Sequence, residues 1–219
     1  MKTWNVALLV VLLSVGVTAL VNADSPATIP SLQQDWFLVG YSFDAANTPA
    51  EFTLLLSVII GDDLSPQLKD SLAEWRLGTL TKEEVRPFLL NYSQAQGGLL
   101  ALEAFRLGEW TSNLEDAVID MGREAGKGNA RPVFEAMVTA YTLASQARGF
   151  IDVFGSLAPQ VVLQVLEQID KTGAKIDVAG LIIGDVEDTN LEETTTAAMD
   201  LLGLARSVRD IYTADSGQE

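Results

Sequence analysis

The sequence of 219 residues contains no histidine and no cysteine. Histidine is the commonest general base in enzymes and the commonest protein ligand of transition metals, so its absence removes both roles. Without cysteine as well, the chain can form no Ser-His-Asp or Cys-His catalytic arrangement, no ordinary zinc site and no disulfide. Most hydrolase mechanisms are therefore excluded. We predict no catalytic residue and no cofactor, and the fold must be held by packing alone.

Basic residues are scarce, with 14 Lys and Arg against 30 Asp and Glu and a formal net charge of −16. Such a charge repels nucleic acids and anionic membrane surfaces, so neither is expected as a partner. It favours cations or basic partners, and it equally fits an adaptation to salty surroundings that implies no partner at all.

A long apolar run lies at the start of the sequence, where Lys2 precedes the almost continuously apolar stretch 6–21. The tripeptide VNA before Asp24 matches the small-x-small pattern cut by signal peptidase, which predicts a signal peptide over 1–23. The alternative is an uncleaved anchor, because residues 4–21 approach the length that spans a bilayer. No later run is long and apolar enough to do so. We expect an exported protein, periplasmic or extracellular, and the lack of cysteine favours a bacterial one.

Helical periodicity dominates the rest of the chain, where apolar residues recur at i, i+3 or i+4, and i+7. No Asn-Gly or Asp-Gly turn joins two alternating segments, so no strands are predicted. We predict an all-α fold, a single-domain bundle of about seven amphipathic helices over 31–213 behind the signal peptide. A flexible leader at 24–30 precedes this domain, and a frayed tail at 214–219 follows it.

Capping residues and glycines predict several helix boundaries. Thr81 with Glu84 and Ser112 with Glu115 each have the capping-box spacing that marks the start of a helix. The pair Gly97–Gly98 predicts a break between two helices.

The tetrapeptide IIGD occurs twice, ending at Asp62 and at Asp185, each time after an aliphatic run. Gly61 and Gly184 fit helix C termini, where a residue without Cβ adopts a positive φ at little cost. The acids that follow fit the start of the next helix, where negative charge is favourable. Both aliphatic runs, FTLLLSVII and VAGLIIG, are therefore predicted to be buried core helices.

The acidic segment 185–193 is the best candidate for a metal site. A hard cation such as calcium takes about six to eight oxygen ligands, and this segment offers five acids and an amide. It lacks the central glycine and the spacing of an EF-hand loop, and helix capping explains most of its composition. If a cation binds here, its predicted ligands are Asp185, Glu187, Asp188 and Asn190.

Aromatic residues are crowded into the segment DWFLVGYSF. Such side chains line sites for apolar ligands and surfaces that partners cover, and they equally fasten a helix to a core. The candidate ligand-binding residues are Trp36, Phe37, Tyr41 and Phe43.

Together these features predict an exported, acidic, all-helical protein that binds a protein partner or an apolar small molecule and catalyses no reaction. Two alternatives stay open. One is a carboxylate-dependent hydrolase acting on carbohydrate or cell-wall material, since any two of the 30 acids could meet across a cleft. The other is a calcium-binding surface protein.

Overall fold

The computed structural model describes residues 29–127, 130–155, 158–183 and 188–214. These ranges are predominantly helical and contain no strand, so the all-α prediction is confirmed. The helices are, in chain order, α1 (Ser31–Ala45), α2 (Pro49–Ile60), α3 (Pro66–Arg76), α4 (Lys82–Gly126), α5 (Ala130–Ser145), α6 (Ala147–Phe154), α7 (Gln160–Gly173), α8 (Val178–Ile183) and α9 (Asp188–Thr213).

The chain divides into two compact units. The terminal unit contains residues 29–112 and 209–214, and the central unit contains residues 113–208. The predicted single domain over 31–213 stays a prediction. The predicted signal peptide lies outside the described residues, as does most of the predicted leader, of which Ile29 is buried.

Helix α4 is a helical hairpin with arms 82–96 and 99–126. Between the arms Gly98 has φ +64°, which lies in the left-handed region that favours glycine. The Arg86 guanidinium donates three hydrogen bonds of 2.6 to 2.9 Å to the Glu109 carboxylate of the other arm, 23 positions away. A straight helix would separate these two residues by about 35 Å, at 1.5 Å per residue. The chain must therefore reverse direction at the glycines.

The predicted boundaries around this hairpin are confirmed. The Thr81 hydroxyl accepts a hydrogen bond from the Glu84 N–H at 3.3 Å, and the Glu84 carboxylate accepts one from the Thr81 N–H at 2.8 Å. This reciprocal pair is a complete capping box. The predicted break at Gly97–Gly98 is where the two arms separate.

The second predicted capping box is wrong. Ser112 and Glu115 lie inside the second arm of α4, and both are buried. The Thr111 hydroxyl donates to the Leu107 carbonyl at 2.7 Å, as a residue within a helix does. A capping pattern is a local signal, and here tertiary packing along the whole arm overrides it.

Helix α1 approaches the second arm of α4 so closely that glycine is required on both sides. A Cβ on Gly40 would lie 1.9 Å from the Phe105 carbonyl oxygen, and a Cβ on Gly108 would lie 2.0 Å from the Phe37 carbonyl oxygen. Backbone atoms cannot move aside as a flexible side chain can, so only a residue without Cβ fits at either position. Both helices at this crossing belong to the terminal unit over residues 31–45 and 99–112.

The prediction that the run FTLLLSVII forms a buried core helix is only partly right. The run FTLLLSVII is helical as predicted, but it is buried on one side only. Phe52 and Leu56 have no exposed surface, whereas Leu54 and Val58 are 66% and 75% exposed. Helix α2 packs against α1 and α3, and a run that is apolar on all sides cannot reveal how many of those sides its neighbours cover. The second aliphatic run forms α8, in which Leu181 is buried.

In the central unit, α7 packs against α5 and α6, and α8 packs against α5. A Cβ on Gly173 of α7 would lie 2.5 Å from the Ala144 Cβ of α5, so these two helices are also close. Small and aliphatic residues of α9 complete the core: Ala197, Ala198, Leu201, Leu204, Ala205 and Val208. In the part of the chain that the structure describes, none of the helices has the length and apolar character needed to cross a membrane.

Candidate binding surface

The N terminus of α2 is fixed by local hydrogen bonds. The Thr48 hydroxyl accepts from the Glu51 N–H at 3.1 Å, and the Glu51 carboxylate accepts from the Asn47 N–H at 3.0 Å. Pro49 occupies the first turn, where its missing N–H would have no helical partner. The sequence around residue 48 therefore determines where the helix starts.

The C terminus of α2 is set by Gly61, which has φ +82° and donates its N–H to the Ser57 carbonyl at 3.0 Å. The prediction that Gly61 ends a helix is confirmed, since a residue with Cβ would be strained at this φ. Gly184, in the second IIGD, lies outside the described residues.

Aromatic packing sets the rotation of α2 about its own axis. The Phe52 ring meets the Phe43 ring edge-on at 5.1 Å and the Trp75 ring at 5.8 Å. Residues two apart on a helix point about 200° away from each other. With Phe52 directed inward, Leu54 must point outward, and Val58 follows it one turn later.

The outer side of α2 offers almost nothing but apolar surface. No charged residue lies between Glu51 and Asp62. The Thr53 hydroxyl donates to the Pro49 carbonyl at 2.7 Å, and the Ser57 hydroxyl donates to the Leu54 carbonyl at 3.0 Å. Both hydroxyl protons are therefore used within the helix itself. Exposed apolar patches with polar rims mark interaction sites on proteins.

Acidic residues stand at both ends of this side. Glu51, Asp62 and Asp63 are exposed, and in the described part of the chain no lysine or arginine forms an ion pair with any of them. The Tyr92 hydroxyl donates to the Asp63 carbonyl oxygen at 2.8 Å. Burial and then the Asp63 charge raise the pKa of Tyr92. We call Leu54 and Val58, with the three acids around them, the α2 surface.

The four aromatic residues predicted as ligand-binding all make contacts within the terminal unit. Trp36, Phe37 and Phe43 are almost completely buried. The Phe37 ring stacks on the Tyr212 ring, with 4.3 Å between the ring centroids. The Arg209 guanidinium lies over the half-buried Tyr41 ring, 5.9 Å from its centroid. Their ligand-binding role stays a prediction, and the contacts seen here fasten α1 to its neighbours.

The predicted metal ligands Asp185 and Glu187 lie outside the described residues. Asp188 is the first residue of α9 and Asn190 lies in its first turn, but their side chains are also outside the described part. Across 29–127, 130–155, 158–183 and 188–214, no group of three or more acids could hold a metal ion.

The central unit contains an open polar cleft of about 310 Å³. It is lined by Lys175, Glu192, Glu193, Thr196, Ala197 and Asp200. A second space of about 450 Å³ shares two of these residues, Lys175 and Glu193. Carboxylates therefore line a cleft, as the predicted carboxylate-dependent hydrolase would require. The same cleft also contains the Lys175 ammonium and is wide open to solvent.

Nothing in the sequence singles out Leu54 and Val58 as candidate site residues. The only signal in the sequence is a mostly aliphatic run, which predicts a buried helix as readily as an exposed apolar side. No protein-family model, no curated protein and no solved structure matches the chain.

Proposed function

We propose that this protein is an exported, acidic, all-helical binding protein that contacts a protein partner through the α2 surface and catalyses no reaction. The observation that supports this proposal is the exposure of Leu54 and Val58 on a helix whose position is otherwise fixed at both ends and along its inner side. Water around two adjacent large aliphatic side chains is released when a partner covers them, which favours association.

The shape of the α2 surface favours a protein partner over an apolar small molecule. Sites for small molecules are concave and enclose most of the ligand. The outer side of a helix is convex, and it suits a second helix or a groove on another protein. The aromatic side chains that could have lined a cavity, such as Trp36 and Phe43, pack against protein neighbours instead.

Photo-crosslinking tests this function. A photoreactive amino acid replaces Leu54 in the protein expressed in its native host, and a matched variant carries the same amino acid at Val153, which is 44% exposed on α6 of the central unit. We expect a covalent adduct heavier than one chain from position 54 and none from position 153. If position 54 gives no adduct, or both positions give the same products, the proposed function is wrong.

Export is tested separately by N-terminal sequencing of the protein from its native host. The signal-peptide pattern leads us to expect a mature chain that begins at Asp24. A chain that begins at Met1 would favour the uncleaved anchor.

A further inference from the structure

We propose that the partner at the α2 surface is a basic amphipathic helix, with an apolar stripe that covers Leu54 and Val58 and with lysine or arginine at both ends of that stripe. This inference rests on the proposed function and deepens it by naming the chemistry of the partner. The observation behind it is that the apolar side of α2, with Leu54 and Val58, has exposed acids at both ends.

The positions of the three acids predict the spacing of the basic residues on the partner. Glu51 lies in the first turn of α2, and Asp62 and Asp63 follow its last residue, all three of them exposed. At 1.5 Å per residue, the two ends are roughly 16 Å apart, or about three helical turns. A helix lying along α2 would meet both acidic ends only if its own basic residues had a similar spacing.

The sequence around α2 is poor in basic residues. Between Lys2 and Lys69 the chain contains no lysine or arginine at all. The acids in the same interval are Asp24, Asp35, Asp44, Glu51, Asp62 and Asp63. Among the described residues no lysine or arginine forms an ion pair with the acids of the α2 surface, so a cationic partner can pair with them. Opposite charges across an interface raise its association rate and specificity.

A second copy of the chain fits this surface poorly. In an antiparallel pair of α2 helices, Glu51 of one copy would approach Asp62 and Asp63 of the other. A parallel pair would place identical acids side by side. Either arrangement brings like charges together between two molecules that each carry a net charge of −16, which opposes association.

A lipid surface fits poorly as well. Helices that lie in a membrane interface carry lysine and arginine beside their apolar side. Helix α2 has neither, and the charged residues at its two ends are the acids Glu51, Asp62 and Asp63. An anionic membrane would repel these acids, and a zwitterionic one has no net positive charge to attract them.

Helix packing defines the apolar part of the partner. Two helices pack at about 8 to 10 Å between axes, with the side chains of one filling the grooves of the other. Leu54 and Val58 form a ridge at spacing i, i+4. The partner should offer apolar residues at i, i+3 or i+4, and i+7 to enclose that ridge, between its two basic ends.

A synthetic peptide serves as the probe. It is an alanine-based helix of about 18 residues, long enough to be helical when bound, with a central leucine stripe and lysines at both ends. A second peptide of identical composition has the leucines moved off the stripe. Fluorescence anisotropy of the labelled peptides, titrated with the full-length protein from its native host, measures binding at two salt concentrations.

The central comparison uses variants that separate apolar docking from charge alone. L54D/V58D adds two negative charges and removes the ridge. We expect at least about tenfold weaker binding of the striped peptide, since the complex loses two aliphatic side chains that the peptide would cover. If attraction between opposite charges were the whole effect, this variant would bind more tightly than the wild type, and the inference would be wrong. L54S/V58S tests the ridge without added charge, and V153D is the matched control in the central unit.

The acidic ends are tested by D62N/D63N. We expect several-fold weaker binding at low salt and a smaller loss of binding as salt is raised, because screening acts on the charges that this variant removes. E192Q/E193Q removes two adjacent exposed acids of the central unit and should leave binding unchanged. Equal effects of the two double variants would mean that only total charge matters and would overturn the inference.

The competing occupants give distinct results. If sedimentation shows a dimer that L54S/V58S converts to monomer, the occupant is a second copy. If the wild type sediments with phosphatidylcholine vesicles and L54S/V58S does not, the occupant is a lipid surface. Either result would overturn the basic-helix inference. A crosslink from position 54 together with no binding of the striped peptide would refute only this inference and leave the proposed function standing.

Discussion

Helices α1 and α2 are neighbours in the terminal unit, and both are rich in apolar residues, yet they are buried to very different extents. Helix α1 buries six residues along one broad side: Gln33, Trp36, Phe37, Val39, Gly40 and Phe43. Helix α2 buries only Phe52 and Leu56. Between Phe52 and Ile60 every residue of α2 is apolar except Thr53 and Ser57, so apolar content does not explain the difference.

The difference comes from how closely a neighbouring backbone can approach. Gly40 of α1 and Gly108 of α4 let two helices touch backbone to backbone, which brings their large side chains into a common core. Helix α2 has no glycine within its span and presents bulky aliphatic residues around most of its circumference. Helix α2 therefore packs through the aromatic contacts of Phe52 on one side. Its other side, with Leu54 and Val58, remains exposed to solvent. We attribute a structural role to α1, and the binding role is the one proposed for α2.

The largest expected effect is at the crossing of α1 with α4. Because a Cβ at Gly40 or Gly108 would overlap a carbonyl oxygen, Gly40→Ala and Gly108→Ala should each lower the free energy of unfolding by about 3 kcal/mol or more, at the upper end of overpacking effects. Urea denaturation followed by circular dichroism measures this change.

Gly203→Ala is the control for that prediction. Gly203 lies within α9 with open space around its Cβ position, so alanine should stabilise by about 0.5 to 1 kcal/mol through its higher helix propensity. If Gly40→Ala is as harmless as Gly203→Ala, the close crossing does not account for the burial of α1.

The second prediction compares the two sides of α2. Leu56→Ala should cost about 2 to 3 kcal/mol, because it leaves a cavity beside Phe52 in the buried side. Leu54→Ala removes the same atoms from a side chain that is 66% exposed and should change stability by less than about 0.5 kcal/mol. Equal losses, measured by the same denaturation experiment, would mean that Leu54 is covered in solution and that the α2 surface is not free.

The sequence was sufficient to predict the helical fold and several helix ends, because those depend on local rules. Thr81 with Glu84, and Gly61 at positive φ, each follow from the chemistry of a few adjacent residues. Burial is not local. The exposure of Leu54 depends on which helices pack beside α2, and the false capping box at Ser112 depends on packing along a whole arm. Neither could be obtained from periodicity or capping alone.

Tyr212 gives a smaller effect that tests the packing around α1. It stacks on Phe37, and its hydroxyl is buried with no hydrogen-bond partner among the described residues. An unpaired buried hydroxyl costs about 1 to 3 kcal/mol, so Tyr212→Phe should stabilise by about 1 kcal/mol. Tyr92→Phe is the matched control, and it should destabilise by about 1 kcal/mol because that hydroxyl donates to the Asp63 carbonyl.

The same residue predicts a dependence on alkaline pH. Burial raises the pKa of Tyr212 above its ordinary value, so the folded state keeps the proton while the unfolded chain loses it above about pH 10. The unfolded state then binds fewer protons, and the free energy of unfolding falls as pH rises above that value. Tyr212→Phe should show a shallower fall between about pH 10 and 11. An equally steep fall in the variant would contradict the assignment to Tyr212.

The smallest expected effect concerns Asp35 on α1. Burial raises the pKa of this half-buried carboxyl group, so folding favours its protonated form. The folded state is then relatively most stable below the ordinary aspartate pKa of about 3.9 and loses stability as pH rises through the raised value. Asp35→Asn removes the charge and should stabilise the protein at pH 7 by less than about 0.5 kcal/mol, since solvent still screens the exposed part of the group.

Two comparisons isolate this effect. At about pH 3 the Asp35 carboxyl is mostly protonated in both states, so the gain from Asp35→Asn should shrink toward zero. Asp44 on the same helix accepts a hydrogen bond from the Lys82 ammonium at 3.2 Å, so Asp44→Asn weakens an ion pair and should destabilise at pH 7. The two substitutions remove the same charge from one helix and should have opposite signs in urea denaturation. If Asp35→Asn also destabilises at pH 7, then the Asp35 carboxylate has a favourable partner. That interaction, and not partial exposure to solvent, would then offset the cost of burying the charge on α1.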